Sequence, residues 1–170
     1  MIMEISTKMK KRKILFIGLF ILYSFIRYEQ RAQAAVEITV TGSWMLTIST
    51  GDLQGGAGSD LNPTYESATD QIIIDIGSGK NDYWRVDVSK IDFNWDSQML
   101  LSVKRTSDGS GGGFISGGTN YLLITDTDQE FFNGFKKIDD IAIQLQLDGI
   151  SLEIPEDTYS TTVYYTIYKL

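Results

Sequence analysis

The chain has 170 residues, with 22 acidic and 15 basic side chains, 16 Gly, 2 Pro, no Cys and no His. That length suits about one domain. Without His there is no Ser-His-Asp or Cys-His constellation and no imidazole metal site. Without Cys there is no thiol nucleophile, zinc cluster, iron–sulfur site or disulfide.

Residues 1–34 read as a secretory signal peptide. Lys8, Lys10, Lys11, Arg12 and Lys13 form a basic cluster, and the apolar run Ile14–Ile26 follows. A polar stretch, Arg27 to Arg31, then leads to Ala32-Gln33-Ala34. Basic, apolar and small-residue regions in this order predict cleavage after Ala34, with Ala35 as the second choice. An uncleaved anchor is the alternative, but 13 apolar residues fall short of the roughly 20 a bilayer span needs. No lipidation Cys follows. Cleavage removes seven basic and two acidic residues, leaving eight against twenty, a net charge of −12 over residues 35–170. Such a surface repels phosphate backbones, so no nucleic-acid partner is expected.

The remainder alternates with period 2. In Val36 to Ser49, the residues Val36, Ile38, Val40, Gly42, Trp44, Leu46 and Ile48 share one face. This predicts one long strand, or two joined at a Gly42 bulge. Further strands are expected at 71–76, 83–91, 98–105, 120–125, 141–147, 150–154 and 159–168, rich in β-branched and aromatic residues. Turn residues separate them at Asn62-Pro63, Gly77-Ser78-Gly79, Asp108-Gly109, Asn133-Gly134 and Asp148-Gly149. At most, 127–134 or 135–140 makes one helical turn. The glycine-rich stretches 51–62 and 107–118 are expected as exposed loops, mobile unless something orders them. No internal repeat stands out.

The candidate sites follow from residue chemistry. Asp126, Asp128 and Glu130 have the alternate-residue spacing of oxygen ligands for Ca²⁺, a weak candidate against a solvated acidic loop. Asp87, Asp92 and Asp96 lie near Trp84, Phe93 and Trp95, and paired carboxylates beside aromatics suit glycoside hydrolysis. Against this, 20 carboxylates after residue 34 make chance proximity easy, and this is the least favoured reading. Trp44 and Trp84 fall on apolar faces and are expected in the core. Trp95, between two strands, and Tyr164 and Tyr168, on a Ser/Thr face, are the candidates for stacking against a sugar.

Asp157-Thr158-Tyr159-Ser160-Thr161-Thr162-Val163-Tyr164-Tyr165-Thr166-Ile167 resembles the last strand of secreted pilin-type domains, closest to the spore coat protein U-like group of chaperone–usher pilins. Val36–Ile48 would match the alternating donor strand that begins those subunits after their signal peptide. The chain departs from that group in having no Cys and hence no disulfide. The resemblance implies a subunit that completes a neighbour's sheet by β-augmentation.

The sequence therefore predicts an all-β, Ig-like antiparallel sandwich of about seven to nine strands, preceded by a signal-peptide helix. Residues 35–170 would form one domain, secreted or held at the bacterial cell surface. The leading expectation is a non-enzymatic structural subunit of a fibre, pilus or coat. Its partners would be copies of itself or related subunits, with membrane contact only during export and with no cofactor. Ile38, Val40, Trp44, Leu46 and Ile48 are the expected assembly strand, unless that strand pairs within its own chain. The alternative is a carbohydrate-binding or adhesive module.

Overall fold

The computed structural model describes residues 36–170 and the backbone of residues 2–9. The basic run 10–13, the apolar run, the cleavage site and the expected signal-peptide helix lie outside the described residues. The described strands, in chain order, are β1 (Ile2–Met9), β2 (Glu37–Thr41), β3 (Trp44–Thr47), β4 (Thr64–Glu66), β5 (Ile72–Gly77), β6 (Tyr83–Asn94) and β7 (Leu100–Arg105). They continue with β8 (Ser110–Gly111), β9 (Phe114–Gly117), β10 (Leu122–Leu123), β11 (Gln129–Phe135), β12 (Ile138–Asp148) and β13 (Thr158–Lys169). Among the described residues there is one 3₁₀ turn, Thr50–Asp52, and no α-helix.

Two sheets share one apolar core. The first has the order β3-β1-β13-β6-β11-β9, and the second β10-β7-β12-β5-β2, with β4 and β8 extending the flanks of β12. Every pairing is antiparallel except β1 with β13. The architecture is all-β and sandwich-like.

Alternation sets the inward face of each strand. In β5, Ile72, Ile74 and Ile76 are fully buried while the residues between them are half-buried. In β6, Trp84, Val86 and Val88 are fully buried, with Arg85 half-buried and Asp87 buried between them. Burying one such side chain contributes about 2 kcal/mol. Trp84 packs edge-on against Phe132, with ring centroids 6.1 Å apart, and its indole N–H donates to the Lys136 carbonyl at 2.7 Å. Its polar edge is thereby satisfied inside the core.

The predicted strand at Val36–Ser49 is two strands, and they belong to different sheets. β2 pairs with β5, whereas β3 pairs with β1. The chain changes sheet at Gly42, whose φ is +124°. A Cβ there would lie 2.3 Å from the Gln71 carbonyl oxygen, so only Gly fits.

Three other expectations need correction. Residues 129–135, expected as at most a helical turn, form β11. The register shifts between Glu130 and Phe132, so Phe131 and Phe132 are both buried, which hides the period of 2. Residues 150–154 are not a strand; Ile150 and Ile154 are buried from a turn instead. The second glycine-rich stretch contains β8 and β9 and is anchored by Arg105. That buried guanidinium donates to the Gly117 carbonyl at 3.0 Å and the Ser107 carbonyl at 2.8 Å, and pairs with Asp108.

Gly134 lies against Trp84, where an added Cβ would come within 2.5 Å of the indole ring. Gly134→Ala is expected to lower folding stability by about 2 kcal/mol, the usual scale for overpacking a dense core. Urea titration followed by Trp fluorescence measures this, and an unchanged midpoint would contradict the packing described.

Candidate functional site

The feature that sets this fold apart is a strand slot between β3 and β13. Their facing edges do not pair with each other; β1 lies between them. It runs parallel to β13 along eight positions, from Ile2 opposite Thr158 to Met9 opposite Tyr165. On its other side it runs antiparallel to β3 along four positions, with Ile5 opposite Trp44 and Ile2 opposite Thr47. Residues 2–9 belong to the expected leader, so a segment predicted to be removed completes this sheet.

The walls of the slot are built to be dry. Trp44 on β3 and Tyr159, Thr161, Val163 and Tyr165 on β13 are buried. The entrance to β13 is pinned from two sides. Tyr159 donates its hydroxyl to the Pro155 carbonyl at 2.8 Å, and Asn94 donates its amide to the Thr158 carbonyl at 2.9 Å. Asp157 accepts from the Thr158 backbone N–H at 2.7 Å and from the Asn94 amide at 3.1 Å. These two hydrogen bonds, the backbone one foremost, hold the Asp157 carboxyl below its ordinary pKa. At the far end, the Tyr165 hydroxyl is buried and has no hydrogen-bond partner among the described residues, and this burial pushes its pKa up.

The expected assembly residues divide between two roles. Ile38 and Val40 lie on β2, with Ile38 buried and Val40 half-buried against the core of the same chain. Trp44 and Leu46 lie on β3 and form one wall of the slot, and Ile48 is buried just beyond it. In the described chain, β2 therefore pairs at home.

The expected stacking residues are each engaged separately. Trp95 is half-buried, donates its indole N–H to the Met99 carbonyl at 2.8 Å, and has the Lys90 amine 5.1 Å from its ring centroid. Tyr168 has the Arg85 guanidinium 5.2 Å from its ring centroid and donates its hydroxyl to Asp128 at 3.4 Å. Tyr164 is half-buried on the same strand.

The expected Ca²⁺ ligands point to separate partners. Asp128 accepts from the Ser89 hydroxyl at 2.6 Å, Glu130 from the Asn133 amide at 3.0 Å, and Asp126 from the Thr127 hydroxyl at 3.2 Å. Among the described residues, no three acidic groups gather to hold a metal ion. The carboxylates weighed for hydrolysis are likewise engaged. Asp87 pairs with Arg85 at 2.7 Å, Asp92 pairs with Lys90, and Asp96 accepts from the Gln98 backbone N–H at 2.8 Å.

An aromatic cluster escaped sequence reasoning. Tyr83 and Phe114 are 51% and 54% exposed and meet half-buried Phe135, with centroids 4.5–6.3 Å apart. The Lys136 amine sits 5.0 Å from the Phe135 centroid, and its backbone has φ +63°, a strained conformation for a non-glycine residue. The three rings come from a strand start, a glycine-rich stretch and a segment read as a helical turn, so no spacing linked them. Comparison of the chain with protein-family models, with curated proteins and with solved structures finds no match.

The lowered pKa of Asp157 ties the slot to pH. A carboxyl whose pKa is depressed on folding stabilises the fold above its unfolded value, and that contribution is lost as pH falls through the folded value. Thermal midpoints measured downward from pH 6 are expected to fall less steeply for Asp157→Asn than for the unaltered chain. Equal slopes would show that Asp157 does not anchor β13.

Proposed function

We propose that this chain is a secreted, non-enzymatic structural subunit of a cell-surface fibre, pilus or coat, assembling through strand addition. One observation carries the reading: β1, which fills a slot between the edge strand β3 and β13, lies ahead of the expected cleavage site. Removing residues 1–34 would leave the long edge of β13 facing the four-residue edge of β3 across the width of a strand, and such edges recruit another chain. The described carboxylates weighed as catalysts are tied up in pairs and caps, which fits work by contact.

An Ig-like class fits as well. The Tyr159 hydroxyl, near the start of β13, hydrogen-bonds to the backbone four residues upstream. Ig-like domains carry the same corner at the start of strand F, a strand with neighbours on both sides. In this chain β6 is one neighbour of β13, and the slot is the other.

The test is to express the chain with its leader, recover the exported form, and measure its mass by light scattering and its shape by electron microscopy. Linear multimers are expected from the processed chain and monomers from the unprocessed one. A processed chain that remains a cooperative monomer would overturn the reading.

A second reading, an adhesive module, is favoured by the cluster of Tyr83, Phe114 and Phe135. Exposed rings stack against sugar faces, and Lys80, Lys136 and Lys137, the last paired with Asp139 at 2.6 Å, border an adjacent cleft. Retardation in gels cast with polygalacturonate is expected to be lost in the Tyr83→Ala, Phe114→Ala double variant. No retardation of the unaltered chain by polygalacturonate or by a neutral glucan would remove this reading.

A further inference from the structure

The strand in the slot has a likeness elsewhere in the chain. Met3-Glu4-Ile5-Ser6-Thr7 of β1 and Val36-Glu37-Ile38-Thr39-Val40, leading through β2, share Glu and Ile in step. They also match Met with Val and Ser with Thr. Five residues are too few to stand out as a repeat, and it is the observed pairing that gives the likeness meaning.

Laid on the register of β1, the second segment fits the slot residue by residue. Glu37 would face Met45, where Glu4 stands, and Ile38 would face Trp44, where Ile5 stands. On the other flank, Ile38 would meet Thr161 and Val40 would meet Val163. In its home position β2 already has the alternation required, with Ile38 buried, Val40 half-buried, and Glu37 and Thr39 exposed. Trp44, Thr161 and Val163 are buried walls, whereas Met45 is 65% exposed, so the Glu position would stay in water.

β2 is also placed to be exchanged. It is an edge strand, flanked along five positions by β5 alone. A strand in the slot is flanked along eight positions by β13 and four by β3. Leaving home uncovers one edge of β5, while filling the slot covers two edges. Gly42 and Ser43 separate β2 from β3, and Gly42 already has a backbone conformation that other residues avoid.

Resting on the reading of the slot as an assembly site, we infer that Ile2–Met9 is a built-in stand-in for Val36–Val40 of a second copy. It keeps the slot closed in the unprocessed chain. Once the first 34 residues are gone, the β2 segment of a neighbouring copy enters in the same register, parallel to β13. Processing is then the switch, and the occupant of the slot is a strand of this same protein.

The absence of Cys lets introduced pairs report single contacts. The experiment uses the full chain with a site-specific protease sequence in place of residues 27–31, oxidised before and after cutting. It is followed by non-reducing electrophoresis and light scattering. With Glu37→Cys and Met45→Cys together, the uncut chain is expected to run as one monomer band, and the cut chain as a covalent ladder. With Glu4→Cys and Met45→Cys, the uncut chain is expected to close an internal disulfide; failure to close it would remove the stand-in. With Glu37→Cys and Gly77→Cys, internal closure is expected before cutting and to fall after it; undiminished closure after cutting would mean that β2 stays home. Multimers seen by scattering without a ladder would overturn this inference and leave the assembly reading standing. A cut chain that stays monomeric by scattering would overturn both.

Discussion

Main-chain N–H and C=O groups cannot be left unpaired between two strands in a dry interior. Each one stranded there costs about 1–3 kcal/mol. This constraint governs the gap between β3 and β13, where β1 supplies the missing hydrogen bonds on both sides. The side chains that line the gap, Trp44, Val163 and Tyr165 among them, are buried and leave no reason for water to do the same work. An eight-residue segment at the start of the chain thus carries a load out of proportion to its length.

The rest of the molecule is arranged around keeping those edges rigid. β13 runs beside β6 for most of its length, and β6 carries Trp84 into the core. Gly134, on the next strand, makes room for that ring. β3 joins the first sheet through β1, and the crossover at Gly42 lets β2 serve the second sheet from the same short stretch of sequence. The corner at Tyr159 and the bonds to Asp157 fix where β13 begins.

Much of this was legible in the sequence, because strands that bury one face must alternate. β5, β6, β7, β12 and β13 match the expected runs to within a few residues. The same physics explains the misses. The bulge in β11 puts two adjacent Phe side chains inside, and adjacency reads as no period at all. β8 and β9 are built from Ser, Gly, Phe and Ile in a stretch whose composition says loop, and their order comes from pairing with β12 and β11 and from the neighbouring guanidinium of Arg105. Residues 2–9 fall within the expected leader, and Met3, Ile5, Thr7 and Met9 also alternate with polar neighbours as a strand does. For the candidate slot, sequence grouped Ile38, Val40, Trp44 and Leu46 on one face but could not divide them between two strands of different sheets, since that division depends on a crossover at one glycine. Trp95 looked free because it lies between two strands, yet its N–H is spent on the Met99 carbonyl.

The parallel run of β1 beside β13 also fixes a direction. Under the proposed exchange, a subunit with one receptive seam and one ribbon to lend would meet its neighbours through two unlike patches, which is a heterologous contact. Repetition of such a contact gives an open polymer with distinguishable ends wherever the rotation between copies does not close on itself. One end of such a polymer would expose a vacant seam and the other an unused ribbon, so growth, capping and anchoring need not happen at the same place.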